Sequence, residues 1–287
     1  MEKGYECVVL TRSVPKDPKP GIKYAEWDVA KKTIDKEAIA TADYIIHLAG
    51  ANVAEKRWTP KRKKEIVDSR TESTDLLIES LRSTPNQLKA FISASAIGYY
   101  GADTERSKRS GFKEDDPPAN DFLGSTCRQW EESVWKAAEI LKVRTVIFRQ
   151  GIVLTKEEGA LEKFKQPLKF GLATILGNGR QTISWIHVHD LCRMYLEALK
   201  EPLSGRFNAV APQTISNKEF VLSLAKHIRK TAFIPVHVPS FVLKTVLGEM
   251  SIEVLKSATV NCDKIKSTGF RFLYPSVEPA FTNLLKT

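Results

Sequence analysis

Residues 89–95 read Lys89-Ala-Phe-Ile-Ser-Ala-Ser95, and residues 143–150 read Val143-Arg-Thr-Val-Ile-Phe-Arg-Gln150. Both runs are almost continuously apolar, which is typical of strands buried on both faces of a parallel sheet. Between them, apolar side chains recur at helical spacing at Trp130, Val134, Ala137, Ala138 and Leu141. The pattern predicts a strand, a helix and a second parallel strand, the repeating unit of a doubly wound α/β fold.

The same alternation extends toward both ends of the chain. Further strands are predicted over 6–12, 22–28 and 43–49, and a helix over 68–82 with Leu76, Leu77 and Leu81 on one face. Past residue 155 the pattern becomes irregular, with a glycine-rich loop over 177–181, a strand over 206–211 and, from Pro235, short helices that end at Gly248 and Gly269. We therefore expect a Rossmann-like domain over 1–155. A mixed region over 156–287 is expected to contribute late core strands and a smaller, substrate-facing α+β cap.

The first residues predict that the sheet lacks its first strand. Gly4 has the character of a helix stop, and the run that follows it resembles the second strand of a dinucleotide-binding domain. A preceding strand, turn and helix would need about 20–25 residues, but only three residues precede Gly4. None of the 15 glycines forms a G-x-G-x-x-G motif. We expect two unpaired strand edges inside the sheet, and either an N-terminus truncated from a longer gene or poor folding of the chain alone.

Composition restricts the class of protein. With 42% apolar and 27% charged residues, the 287-residue chain can bury a substantial core. The four cysteines lie far apart at 7, 127, 192 and 262, which favours a reducing cytosol over a disulfide framework or zinc site. The net charge is +10, and the basic run over 61–64 is interpreted as a solvated helix face, with a nucleic-acid site as the alternative. We expect neither a nucleic-acid nor a membrane partner.

The carboxyl ends of the strands are where ligands of open α/β sheets bind. Arg12 ends the first run, where its guanidinium matches a cofactor 2′-phosphate better than an acidic residue would; an ordinary surface arginine is the alternative. Asp28 ends the next run and is a candidate for the adenine amino group or for capping the following turn. Small residues over 48–52 would let a ribose lie against the backbone, and Ser93 and Ser95 would place hydroxyls at a nicotinamide.

Several stretches together resemble the atypical extended short-chain dehydrogenases/reductases called the "epimerase family protein" group. The resemblance covers nearly the whole chain and rests on Leu48–Asn52, Arg57-Trp58, Asp68-Ser69-Arg70, Ser95–Gly101, Gln129-Trp130-Glu131, Arg149-Gln-Gly151, Gly177–Gln181, Trp185–Asp190 and Leu247–Met250. It implies NADP as the cofactor. By position, it implies contacts from Thr11, Arg12, Leu48, Ala49, Gly50, Glu65, Arg70 and Val153. A small-molecule substrate and a homodimer are also implied.

The proton-transfer pair of that superfamily, Tyr-x-x-x-Lys, is missing. No tyrosine has a lysine four residues later, and Leu123 and Cys127 stand at the corresponding positions. Ser95 with Tyr99 is our catalytic candidate, Cys127 being a second option or a small buried helix residue. His187 and His189 lack a third ligand, so no metal is expected. The sequence favours an NADP-dependent oxidoreductase or epimerase-like enzyme, or alternatively a non-catalytic NADP(H)-binding sensor.

Overall fold

The computed structural model describes residues 4–286. Its strands are β1 (Cys7–Thr11), β2 (Ile22–Asp28), β3 (Thr33–Ile34), β4 (Tyr44–His47), β5 (Ala90–Ala96), β6 (Arg144–Gln150), β7 (Ile152–Leu154), β8 (Leu172–Leu176), β9 (Thr182–Ile183), β10 (Trp185–His187), β11 (Gly205–Ala209), β12 (Ile215–Ser216) and β13 (Ile234–Val238). Its helices are α1 (Lys36–Ala40), α2 (Pro60–Ser83), α3 (Ser107–Ser110), α4 (Phe122–Ile140), α5 (Ala160–Leu168), α6 (Val188–Lys200), α7 (Asn217–Arg229), α8 (Ser240–Leu247), α9 (Ser251–Leu255), α10 (Asp263–Ser267) and α11 (Val277–Leu284). Short 3₁₀ turns lie at Ile97–Tyr100 and Gly248–Met250.

The main sheet has four parallel strands in the order β11-β6-β5-β4. Its side chains alternate between two apolar layers. Phe91 and Ile147 face α2 and α4, whereas Ile92, Val146 and Phe148 face the side covered by α6. Helices on both faces of a parallel sheet define the predicted doubly wound α/β fold.

A second sheet holds β1, β2 and β3 in that order, with β1 and β2 parallel. Within residues 4–286, β1 and β4 each keep one edge that pairs with no other strand, as expected from the sequence. Val8 on β1 is 41% exposed and Ile46 on β4 is 42% exposed. The rings of Tyr5 and Tyr44 meet edge to face, with centroids 6.5 Å apart, beside these two strands.

Two helices begin earlier than the apolar pattern indicated, because capping side chains start them. The Thr59 side chain accepts a hydrogen bond from the Arg62 N–H at 3.1 Å and starts α2, with Pro60 at the first helical position. The Asp121 carboxylate accepts from the Gly124 N–H at 2.7 Å and starts α4. The basic run on α2 is not wholly solvated, since Arg62 is buried and pairs with Glu55 and Glu65.

The second half of the chain has its own apolar cluster, in which α5, α7 and α11 surround β8. The expectation of helices from Pro235 onward was wrong at its start, because Ile234–Val238 forms β13, which pairs in parallel with β8. A proline is tolerated there because β13 is an edge strand. The helices that follow do end at Gly248 and just before Gly269, both in the left-handed region at φ 60° and 94°. No helix within residues 4–286 combines the length and apolarity that crossing a bilayer requires.

Candidate functional site

The carboxyl ends of β1 and β2 carry the residues predicted for the adenosine end of a cofactor. The Thr11 hydroxyl donates to the Ser13 carbonyl at 2.9 Å. Arg12 is exposed and forms no ion pair with any carboxylate in residues 4–286. Asp28 accepts from the Lys31 N–H at 3.1 Å, a contact that closes the turn after β2 and lowers the pKa of the carboxyl. Within residues 4–286, Arg12 is thus an exposed cation without an ion pair at this edge, and Asp28 has the turn-capping contact.

The loop after β4 is held in place by α2. The Ala51 N–H donates to the Ser69 hydroxyl at 2.9 Å, and the Arg70 Nη1 donates to the Ala51 carbonyl at 3.1 Å. A Cβ at Gly50 would lie only 2.9 Å from the Arg70 Cζ, so glycine allows this close approach. The structure places Arg70 beneath the loop, and Leu48, which is 62% exposed, at its surface. Ala49 is half-buried.

Ser93 lies below the strand ends and its hydroxyl contacts a histidine. The Ser93 Oγ is 3.3 Å from His47 Nδ1, and the Ser73 Oγ is 2.8 Å from His47 Nε2. Ser93 is completely buried, so the structure does not bring its hydroxyl to the open edge. Burial, aided by the nearby Arg70 charge, lowers the pKa of His47 to about 4 and keeps the imidazole neutral. The sequence analysis assigned no role to His47.

Ser95 belongs to a buried polar network at the ends of β5, β6 and β11. Its hydroxyl donates to Glu131 Oε1 at 2.7 Å, and Arg149 binds both oxygens of Glu131 at 2.8 Å. Arg206 Nε reaches Glu131 Oε2 at 2.9 Å. The Arg149 guanidinium also donates to the Tyr100 hydroxyl at 2.8 Å. The sequence signal for this network was a charged residue inside two predicted apolar elements, Glu131 in the helix and Arg149 in the strand over 143–150.

Tyr99 lies next to this network. Its ring covers the Arg149 guanidinium, whose Cζ is 3.5 Å from the ring centroid. The hydroxyl of its neighbour Tyr100 is engaged by Arg149, and burial raises the pKa of Tyr100. Tyr99 itself is half-buried.

Leu123 and Cys127 supply no replacement for the missing proton-transfer pair. Leu123 packs against Gly98, where an added Cβ would lie 3.2 Å from the Leu123 Cβ. Cys127 is buried, and this burial raises the pKa of its thiol to about 12. The thiol is therefore protonated at neutral pH, which agrees with the interpretation of Cys127 as a small buried helix residue.

The remaining predicted residues form no hydrogen bond with this network in residues 4–286. Glu65 pairs with Arg62 on α2 at 2.8 Å, and Val153 is half-buried in β7. His187 is buried and stacks on Tyr274 with ring centroids 3.8 Å apart. In the part of the chain that the structure describes, no three His, Cys, Asp or Glu side chains are grouped closely enough to hold a metal ion.

The C-terminal helices are tied to the carboxyl side of the sheet by ion pairs. Lys63 on α2 pairs with Glu249 at 2.6 Å, and Lys256 reaches Asp121 at 3.3 Å and Glu253 at 2.7 Å. The segment around residues 249–256 therefore lies beside the starts of α2 and α4.

Solved structures share this architecture. A human epimerase family protein, SDR39U1 isoform 2, solved with NADPH, superposes with a TM-score of 0.82 at 28% identity, covering 99% of this chain and 92% of that chain. The UDP-glucuronic acid 4-epimerase of Bacillus cereus superposes with a TM-score of 0.77 at 18% identity, covering 99% and 92%. At that lower identity the similarity shows the fold alone.

Sequence comparison identifies relatives along nearly the whole chain. An epimerase family protein of Staphylococcus aureus (strain NCTC 8325) is 36% identical over 281 residues, 97% of this chain and 90% of the relative. The epimerase family protein YfhF of Bacillus subtilis (strain 168) is 32% identical over 285 residues, 99% and 91%. Residues 238–284 match a domain of unknown function, DUF1731. Residues 1–210 match the model of the NAD dependent epimerase/dehydratase family, and with these relatives the match shows that the chain belongs to that family.

Proposed function

We propose that this protein binds NADP(H) along the carboxyl edge of its sheets and uses it on a small-molecule substrate. The observation that carries the choice of NADP over NAD is Arg12. It directly follows the last residue of β1 and is an exposed cation with no ion pair to a carboxylate in the described residues. A guanidinium binds a 2′-phosphate through charge and fork geometry, whereas NAD sites place an acidic residue at this point.

The described residues fit two portions of the cofactor. Thr11 and Arg12 would hold the 2′-phosphate, and the Leu48–Gly50 backbone, fixed by Ser69 and Arg70, would lie under a ribose. No strand of residues 4–286 lies between β1 and β4. We assign no residue to the pyrophosphate. The human relative of this fold was solved with NADPH, which supports the same cofactor here.

The proposed chemistry is oxidoreduction or epimerisation. The bound cofactor would exchange a hydride with a carbinol or carbonyl carbon, and Tyr99 would exchange the accompanying proton with the substrate oxygen. Arg149 holds the Tyr99 ring from below, at 3.5 Å from Cζ to centroid. Ser95 is a positioning residue in this scheme, because its hydroxyl already donates to Glu131 at 2.7 Å.

A non-catalytic NADP(H)-binding sensor is the alternative. One observation favours it: the positions of the usual proton-transfer pair hold Leu123, which has no acidic proton, and Cys127, whose thiol has a pKa raised to about 12. A family member that keeps the cofactor site and loses proton transfer would report the NADPH level without turnover.

The deciding experiment titrates NADPH and NADH into the wild type, Arg12→Asp and the matched control Lys16→Asp. We expect Arg12→Asp to weaken NADPH binding by about tenfold or more, the range of a lost charge-assisted contact. NADH binding should stay unchanged or strengthen, because NAD sites place an acidic residue at this point. Lys16 lies exposed in the following loop, so its variant should bind NADPH as the wild type does. Equal NADPH and NADH affinity in the wild type would refute the NADP assignment.

Turnover separates the enzyme from the sensor. Cofactor oxidation would be followed with a panel of carbonyl compounds and nucleotide sugars in the wild type and Tyr99→Phe. Loss of about 10²-fold in kcat with unchanged NADPH affinity would support Tyr99 as the proton donor. NADPH binding without turnover across the panel would support the sensor.

We also propose a cytoplasmic location and a homodimer for this protein. The location rests on four cysteines that are all free in the structure, which suits a reducing compartment. Dimerisation rests on the resemblance to the superfamily. Light scattering on the purified protein tests it directly.

A further inference from the structure

A basic surface without carboxylates is assembled from two distant segments. The sequence has no Asp or Glu between Glu162 and Asp190, and none between Glu219 and Glu249. The pairing of β8 with β13 brings the two segments together, with Leu172 opposite Ile234. The Ile234 N–H donates to the Gly171 carbonyl at 2.8 Å at the same end. We call the surface around residues 169–172 and 229–236 the basic–apolar face.

Large apolar side chains project from this face into solvent. Phe170 is 83% exposed and Ile234 is 65% exposed, and Leu172 and Val236 are also exposed. Leu172 and Ile234 are register partners in a parallel pair, so their side chains point to the same side of the sheet. Single exposed apolar residues need no explanation, but a contiguous group marks an interaction site.

Cations surround these apolar side chains. Arg229 donates to the Leu168 carbonyl at 2.7 Å and to the Lys169 carbonyl, so its charge is held in place by backbone oxygens. Lys230 is exposed and, within residues 4–286, forms no ion pair with a carboxylate. The face therefore carries uncompensated positive charge.

The carboxylates beside the face are already paired. Glu162 lies 2.8 Å from Lys165 and 3.4 Å from Lys169, and Glu278 lies 3.5 Å from His227. The internal acids thus do not neutralise Arg229 or Lys230. An anionic partner would therefore complement Arg229 and Lys230.

We propose that the basic–apolar face docks this protein on the surface of an anionic lipid bilayer. Phe170 and Ile234 would enter the boundary between headgroups and acyl chains, and Lys169, Arg229 and Lys230 would contact the lipid phosphates. Each lysine or arginine near an anionic membrane strengthens attachment through the surface potential. The sequence analysis expected no membrane partner because no apolar stretch approaches the roughly 20 residues of a membrane span. It could not see this face, because Leu172 and Ile234 lie in separate segments that only the pairing of β8 with β13 brings together.

Two other occupants fit this face less well. A single-stranded nucleic acid binds by stacking bases on aromatic rings, whereas only Phe170 among the exposed apolar residues of the face is aromatic. A second copy of the chain would bring like charges together across the contact, which is unfavourable. The aliphatic side chains and one-sided charge are those of a peripheral membrane contact.

Vesicle flotation tests the proposal on the full chain. Wild type would be mixed with phosphatidylcholine vesicles and with vesicles in which about a third of the lipid is phosphatidylserine. The variants are Phe170→Ser with Ile234→Ser, and Lys169→Glu with Lys230→Glu. The matched control is Ile140→Ser with Lys142→Glu, which removes an exposed apolar side chain and a lysine at the end of α4. Circular dichroism melting verifies that all three double variants are folded.

We expect the wild type and the control to float only with anionic vesicles, and both face variants to lose about tenfold or more of that partitioning. Raising the salt concentration should release the wild type. No flotation, equal flotation with neutral vesicles, or retention by both face variants would overturn the proposal. It would be equally overturned if a single-stranded RNA bound the wild type and vesicles did not.

Discussion

Glu131 and Arg149 form a two-point ion pair with both side chains almost completely removed from water. The exposed fractions of the two side chains are 2% and 1%, and the two nitrogen–oxygen distances are both 2.8 Å. Ser95 and Arg206 bind the same carboxylate. This pair fixes the ends of β5, β6 and β11 relative to α4, directly under Tyr99.

Removing the charge of Glu131 should destabilise the fold strongly. Glu131→Gln leaves Arg149 buried without its counter-charge, and breaking one half of a buried pair costs about 3–5 kcal/mol. We expect the melting temperature to fall by about 10 °C for a chain of this size. Glu132→Gln is the matched control, since Glu132 is exposed and lies 3.9 Å from Arg128. Equal melting temperatures for the two variants would show that Arg149 does not depend on Glu131.

Protonation of His47 should contribute to the pH dependence of the free energy of unfolding. Burial lowers the pKa of His47 in the folded state to about 4, from the usual histidine pKa of about 6.5. As pH falls, the unfolded chain therefore takes up a proton at His47 before the folded chain does. The stabilising contribution of neutral His47 to the free energy of unfolding is fully present above the unfolded pKa, and it is lost as pH falls from the unfolded pKa toward the folded pKa. Between about pH 7.5 and about pH 5, this protonation lowers the free energy of unfolding by about 2 kcal/mol. Burial, with the charge of His189, lowers the pKa of His187 in the same direction.

Urea unfolding of the wild type and His47→Gln at both pH values measures this contribution of His47. We expect the variant to lose about 2 kcal/mol less than the wild type on acidification. His237→Gln, at an exposed position, should keep the full acid sensitivity of the wild type. An unchanged acid sensitivity in His47→Gln would mean that His47 does not titrate below its usual range.

Gly124→Ala should destabilise the protein although it lies in a helix. Alanine ordinarily stabilises a helix interior by about 1 kcal/mol relative to glycine. Here an added Cβ would contact the Ala119 carbonyl oxygen and lie 2.8 Å from its carbonyl carbon. Overpacking against the backbone costs about 1–3 kcal/mol, so we expect this cost to outweigh the helix-propensity gain and to lower the stability of Gly124→Ala. Ser125→Ala in the same helical turn is the control, and a higher melting temperature for Gly124→Ala would contradict this contact.

The four cysteines should react with alkylating reagents at very different rates. Cys7 is exposed on β1, whereas burial raises the pKa of Cys127 to about 12 and that of Cys262 to about 11. Only the thiolate reacts, so at neutral pH Cys7 should be labelled first and Cys127 should need unfolding. Peptide mapping by mass spectrometry after timed iodoacetamide treatment reads both sites in one sample. Early labelling of Cys127 would restore it as a catalytic candidate.

Local periodicity predicted much of the sheet. The strand over 22–28 matches β2 residue for residue, and 143–150 differs from β6 only at its first residue. The start of α2 was missed because its first turns are charged and carry no apolar stripe. Their stability comes from Thr59 and from ion pairs such as Lys63 with Glu249, which is 186 residues away in the chain. Likewise, β13 was missed because its partner β8 lies in a distant segment.

The sequence by itself determined the doubly wound fold and the position of Arg12 and Gly50 at strand ends. These follow from the alternation of apolar and polar residues within a few positions, where chain neighbours set the period. Only the tertiary structure decided that Ser93 and Cys127 are buried and that Glu131 pairs with Arg149. Likewise, only folding assembled the basic–apolar face. Burial and charge pairing depend on groups from separate elements that the fold brings within a few ångströms, and no local pattern encodes that proximity.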